Sequence, residues 1–119
     1  KYDFDTPMAA RLSTKRICDE QGLSREDALL IMAVIQAESG FDNKAVNKNK
    51  DKEGNVLSTD WGLCQINDYW HIGRGKTFPS VEHVLNNPQE VVRWMIKMHS
   101  QGLLRLWVAY SSGAYKKYL

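Results

Sequence analysis

Ala28-Leu29-Leu30-Ile31-Met32-Ala33-Val34-Ile35-Gln36-Ala37-Glu38 is apolar on every side until its final turn. A helix without a polar face has to be enclosed by other elements. The segment therefore predicts a central buried helix with the rest of the chain wrapped around it. Ser24 precedes it as an N-cap, with Asp27 three residues on in the manner of a capping box, and Gly40 stops it. On its N-terminal side, Asp5-Thr6-Pro7 opens another helix with Pro at the first position. That helix carries a loose stripe of Met8, Leu12, Ile17 and Cys18 and stops at Gly22. On the C-terminal side, residues 42–60 are polar, charged and rich in turn residues, and Glu53-Gly54-Asn55 is a turn signal. An exposed loop or short β-hairpin is expected there. Asn47, Asn49 and Asp51 imitate the start of a calcium loop, but its glycine falls too late and its closing Glu is missing. Ser80 caps a short helix with Val81, Val84 and Leu85. Asn87-Pro88 opens a longer one with Val91, Val92, Met95 and Ile96 on its apolar face, stopped by Gly102. Leu103 to Ser111 predicts a last helix, followed by a tail with Tyr115 and Tyr118. The sum is a mainly helical α+β domain over residues 1–119, with helices around one buried helix and a small hairpin insert.

The chain has 119 residues, of which 43% are hydrophobic and 25% charged. That is enough for one domain with its own core, and it excludes disordered and collagen-like classes. A net charge of +2 is far from the basic stripe that dense phosphate binding needs, so no nucleic acid partner is expected. The longest apolar run, Ala28 to Ile35, is under half of what a membrane span requires, and residues 1–20 do not read as a signal peptide. A mature form or an excised domain is expected. Cys18 and Cys64 are the only cysteines and allow one disulfide at most. With no C-x-x-C, two buried thiols behaving as small hydrophobes are expected. His71, His83 and His99 lack metal-ligand spacing, so neither a metal nor a cofactor is expected.

Glu38 needs a chemical explanation. A carboxylate ending a buried helix has its charged form disfavoured and its pKa raised, which suits a general acid. The plainer reading is a solvated helix-end glutamate. Asp60 lies across the polar insert. Brought near Glu38, it would complete a carboxylate pair of the glycosidase kind; alone, it is an ordinary turn residue. Trp61, Tyr69, Trp70 and His71 cluster around Gln65, Asn67 and Asp68. Flat rings beside amides and carboxylates suit sugars, which present both C–H faces and hydroxyl edges, although some of these rings are expected in the core.

Ala37-Glu38-Ser39-Gly40-Phe41, then Gly62-Leu63-Cys64-Gln65-Ile66-Asn67, then Ala109-Tyr110-Ser111-Ser112-Gly113 resemble, in order, the E-S, G-L-M-Q and A-Y-N-A-G signatures of the soluble lytic transglycosylase domain of the lysozyme-like superfamily. Cys64 replaces the usual Met, and Ser111-Ser112 the usual Asn-Ala. The run Ser58-Thr59-Asp60-Trp61-Gly62-Leu63-Cys64-Gln65-Ile66-Asn67 also resembles the S-T-D-Y-G-x-x-Q-I-N stretch of animal C-type lysozymes. Transglycosylases of secretion systems carry a similar asparagine-rich insert before it.

The resemblance implies a lysozyme-like fold with the hairpin beside a cleft. It implies cleavage of the MurNAc–GlcNAc β-1,4 bond of peptidoglycan glycan strands, with Glu38 as catalytic acid. Ser39 would orient the cleft near Glu38, and Gln65 would contact substrate or hold the Glu38 region. Tyr110 would lie beside Glu38 and fix its carboxyl. Asn67 and Trp70 would sit in the sugar groove, Trp70 as a stacking ring. In a lytic transglycosylase Glu38 acts as acid and then base, and a 1,6-anhydro sugar forms without water. In a muramidase Asp60 is the second carboxylate and water completes the reaction. Three transglycosylase signatures against one lysozyme run favour the anhydro product, with Asp60 secondary. A non-catalytic peptidoglycan-binding module would keep the cleft without turnover, and a helical nucleic-acid binder would need a basic face. A monomer acting in the cell envelope, the periplasm or outside the cell is expected. A secreted bacterial enzyme, a secretion-system enzyme and a phage virion or lysis domain would all carry these residues.

Overall fold

The computed structural model describes residues 1–119. Helix α1 (Pro7–Glu20) is capped by Thr6, whose hydroxyl accepts from the Ala9 amide at 3.1 Å. Helix α2 (Arg25–Ser39) is capped by Ser24, which accepts from Asp27 N–H at 3.1 Å. Only this half of the expected capping box is seen, because the Asp27 carboxylate reaches His99 at 3.0 Å instead. Residues Ile31 to Ile35 of α2 are buried without interruption. Leu29 is 41% exposed and the last turn, Gln36 to Ser39, is half-buried, so the enclosure is complete only in the middle of the helix, and Glu38 emerges from it toward partial exposure. Gly40 and Phe41 both have φ of 63°. This double left-handed step reverses the chain and drives the Phe41 ring into the core.

The polar insert is an antiparallel sheet rather than a loop. Strands β1 (Val46–Lys50), β2 (Val56–Trp61) and β3 (Ile66–Asn67) pair in the order β1-β2-β3. Asp60 lies opposite Asn47 on one side and Asn67 on the other, and Asn49 lies opposite Ser58. Since side chains alternate along a strand, this register gathers Asn47, Asn49, Ser58, Asp60 and Asn67 on one face. Asp51 serves the turn: its Oδ1 accepts from the amides of Glu53 and Asn55 at 2.9 and 2.8 Å. Helices α3 (Asp68–His71), α4 (Val81–Asn86) and α5 (Pro88–Ser100) follow.

The expected helix over Leu103–Ser111 is broken in two. A 3-10 turn, Leu104–Leu106, ends at Trp107, whose backbone is extended (φ −88°, ψ 125°). A single helical turn, α6 (Val108–Ser111), then begins, and the tail is a 3-10 helix, Ala114–Tyr118. The break follows from Trp107. Its indole is buried and its Nε1 donates to the Cys64 carbonyl at 2.7 Å; a continuous helix would not leave its backbone extended at this point. The mainly helical frame with its three-stranded sheet is the α+β arrangement expected.

Cys18 and Cys64 are free and sealed from solvent. Burial pushes the Cys18 thiol up to about 11 and raises Cys64 further, with Glu38 adding to the effect on Cys64. Thiolates are the reactive species, so neither cysteine should react with alkylating agent in the native protein. Denaturation without reductant should yield two alkylated cysteines by mass analysis; an unmodified mass would mean a disulfide.

Candidate active site

A cleft of about 560 Å³ runs between the sheet and the C-terminal elements. Glu38 enters it from the last turn of α2. Asn49, Asp60 and Asn67 enter from the sheet, Trp70 and His71 from α3, Trp94 from α5, and Leu106, Trp107 and Val108 from the broken helix. The break at Trp107 has a direct consequence for Glu38. The first amides of any helix lack internal acceptors, and here the Ala109 N–H donates to Glu38 Oε2 at 3.0 Å.

The Glu38 pKa is raised. Burial is the largest cause, the Ala109 amide opposes it, and the charge of Asp60 raises it further. This has a sign for stability. The folded state binds the Glu38 proton more tightly than the unfolded chain does, so this group's contribution falls as pH climbs through and above the usual carboxylate range. Glu38→Gln removes that cost while its amide oxygen can still accept from Ala109. The variant should melt at a higher temperature than the wild type at neutral pH. Its advantage should shrink as pH drops below the ordinary carboxylate range, and a lower Tm at neutral pH would contradict this account.

Asp60 is held by side-chain amides at both oxygens. Asn67 Nδ2 donates to Oδ1 at 2.9 Å and Asn49 Nδ2 donates to Oδ2 at 3.2 Å. The same two asparagines also donate to the Ser58 hydroxyl, each at 3.0 Å. Asn67 Oδ1 further accepts from the Trp70 amide at 3.2 Å, capping α3 and so setting the direction of Trp70. Trp70 is 70% exposed at the cleft rim and edge-on to Tyr69, with ring centroids 4.9 Å apart.

Ser39 and Gln65 brace the cleft. The Ser39 hydroxyl donates to the Leu63 carbonyl at 2.6 Å, tying the end of α2 to the Gly62–Gln65 turn. Gln65 sits at φ 52°. Its Nε2 donates to the carbonyls of Gly62 and Ala45 at 2.9 and 3.2 Å, and its Oε1 accepts from Asn47 at 2.7 Å. Both amide hydrogens are thus spent on the frame, and only an oxygen lone pair remains for anything in the cleft. Gly62 is required by its turn: φ is +77°, and a Cβ would lie 3.1 Å from Leu85 and 3.3 Å from Asn43.

Tyr110 does not fix the Glu38 carboxyl. The hydrogen bond to Glu38 comes from the neighbouring Ala109 amide, and the Tyr110 ring stacks on Tyr115 with centroids 5.1 Å apart. One residue along a helical turn rotates the side chain away from the amide before it. Cleft residues that sequence reading passes over are Asn49, Trp94, Leu106, Trp107 and Val108. Asn47 and Asn49 do carry a signal, an alternation in a polar strand facing Asp60, but it becomes legible only once the register is known.

A helical frame and a small sheet, each lending a carboxylate to one groove walled by aromatic rings, make a lysozyme-like domain. The chain belongs to the lysozyme-like domain family, whose family model matches residues 15–105. It is 31% identical over 113 residues to Lysozyme C-3 of Ovis aries, spanning 88% of this chain and 72% of that protein. It is 45% identical over 38 residues to a peptidoglycan-binding-like protein of Escherichia coli O157:H7, spanning 32% of this chain and 23% of that protein. A solved lysozyme from Litopenaeus vannamei superposes with a TM-score of 0.47 at 21% identity, over 86% of this chain and 84% of that one. Family membership makes this an enzyme of the lytic transglycosylase or lysozyme type, as the sequence motifs imply. No helix is long and apolar enough to cross a membrane.

Proposed function

We propose that the protein is a muramidase that hydrolyses the MurNAc–GlcNAc β-1,4 bond of peptidoglycan, with Glu38 as general acid and Asp60 as second carboxylate. The observation that carries this reading is the setting of Asp60. It faces the same cleft as Glu38, it is gripped by Asn49 and Asn67, and its charge helps keep the Glu38 proton in place. Glu38 gives its proton to the bridging oxygen, and the C1–O bond breaks. Asp60 meets the positive charge developing at C1, as a nucleophile or as a counter-charge. Water then gives a proton to the Glu38 carboxylate and its oxygen to C1, and where Asp60 has bonded to C1 that C1–O bond breaks and Asp60 leaves as the carboxylate. Ser39 and Gln65 keep the two sides of the cleft in register, Asn67 aims Asp60, and Trp70 offers a stacking face to a sugar.

The lytic transglycosylase reading rests on the E-S, G-L-x-Q and A-Y-x-x-G motifs, and in that case the MurNAc 6-hydroxyl takes the place of water. Digestion of purified peptidoglycan in ¹⁸O-water, followed by mass spectrometry of the released muropeptides, separates the two. Hydrolysis yields reducing-end MurNAc carrying one ¹⁸O. A 1,6-anhydro end, lighter by one water and free of label, would overturn the muramidase reading. Peptidoglycan lies outside the cytoplasmic membrane, so this reading carries an extracellular or periplasmic site of action.

A further inference from the structure

We infer that Asp68 is a positioning residue for the reaction: its carboxylate holds the residues immediately before and after Asp60 in β2, and so fixes where the Asp60 carboxylate stands in the cleft. This rests on the reading of Asp60 as second carboxylate and adds a residue that acts through it. The register pairs Asp60 with Asn67 and Trp61 with Ile66, so Thr59 is next in line with Asp68. The backbone turns into α3 at that point, and a ladder that stops there leaves a strand amide in need of a partner. The Asp68 side chain takes over. Its Oδ1 accepts from the Thr59 amide at 3.0 Å, and its Oδ2 accepts from the Trp61 indole Nε1 at 3.2 Å.

Thr59 and Trp61 point away from the face that carries Asp60, because side chains alternate along a strand. Thr59 is buried and Trp61 packs against the core. Asn67 and Asp68, adjacent in the chain, therefore secure Asp60 from two sides. Asn67 grips Asp60 Oδ1 and the Ser58 hydroxyl; Asp68 grips the amide and the indole behind them. Asp68 does not itself line the cleft, so it reaches the substrate only through these neighbours. It has no cationic partner, and the two N–H groups are what hold it. A carboxylate suits this task because both oxygens are acceptors. An asparagine in its place has one oxygen, and its NH2 would face the second donor.

The test is a double-mutant cycle between Asp68→Asn and Asp60→Asn, read as kcat and KM on soluble peptidoglycan fragments, with circular dichroism and thermal melts of each variant. Asp68→Asn should lower kcat about tenfold, the scale of a lost hydrogen bond that places a reacting group, and leave KM within about twofold. In the Asp60→Asn background the same substitution should cost no more than about a further twofold, because the group it positions is already disabled. The same loss in both backgrounds would make Asp68 a support of the fold alone and overturn the assignment while leaving Asp60 its role. So would a wild-type kcat in folded Asp68→Asn. Trp61→Phe keeps a ring in the core and removes one of the two donors. It should repeat the pattern with a smaller loss, and it carries the test where Asp68→Asn does not fold, an unchanged kcat then overturning the assignment. Wild-type kcat in Asp60→Asn would remove the second-carboxylate reading, and this assignment with it.

Discussion

Glu38→Gln should give a folded protein that cleaves peptidoglycan at least about 10² to 10⁴ times more slowly than the wild type, the usual cost of losing a general acid. Gln matches Glu in shape and its oxygen can still accept the Ala109 amide hydrogen. The cleft should therefore keep its geometry while losing the one proton that the bridging oxygen needs. Release of dye from labelled sacculi, measured beside circular dichroism of the same sample, checks both halves. Wild-type turnover by the folded variant would end the assignment of Glu38 as acid.

Asp60→Asn should slow cleavage about 10²–10³-fold, the scale for removing one electrostatic stabiliser of a transition state. Two effects act together. The negative charge opposite the developing positive charge is lost. The new amide also has to turn its own NH2 toward Asn49 or Asn67, both of which donate to the present carboxylate. The variant also carries a pH signature. Asp60 raises the Glu38 pKa, so without it Glu38 loses its proton at lower pH. The alkaline limb of the kcat/KM profile, which follows the acid form of Glu38, should move to lower pH. An unchanged rate and an unmoved limb, with anhydro ends still formed, would make Asp60 a hairpin residue and favour the transglycosylase route.

These two residues differ in how far the sequence exposes them. Glu38 is legible because a charge at the end of an apolar helix is rare and costly, and local order alone shows the cost. Asp60 is ambiguous because a carboxylate in a polar, turn-rich insert has a cheap alternative in the solvent. What puts Asp60 at the cleft is its pairing with Asn47 and Asn67, a register set between strands. Tyr110 shows the opposite failure. The motif is present, but the helix break at Trp107 hands the contact with Glu38 to a backbone amide, which no side-chain motif can display.

The sequence by itself determined the buried helix, its caps and stops, the family motifs and the acid candidate. Each of these rests on neighbours a few residues apart: helical periodicity, an N-cap hydroxyl, a glycine free to take positive φ. The tertiary structure alone decided which face of the hairpin meets the cleft, where the last helix breaks, and that Trp94, Trp107 and His71 form one wall. Those outcomes depend on pairings between residues far apart in the chain, such as Trp107 with the Cys64 carbonyl and Glu38 with the Ala109 amide. Such pairings arise only when packing of the whole core chooses among many local conformations of similar energy.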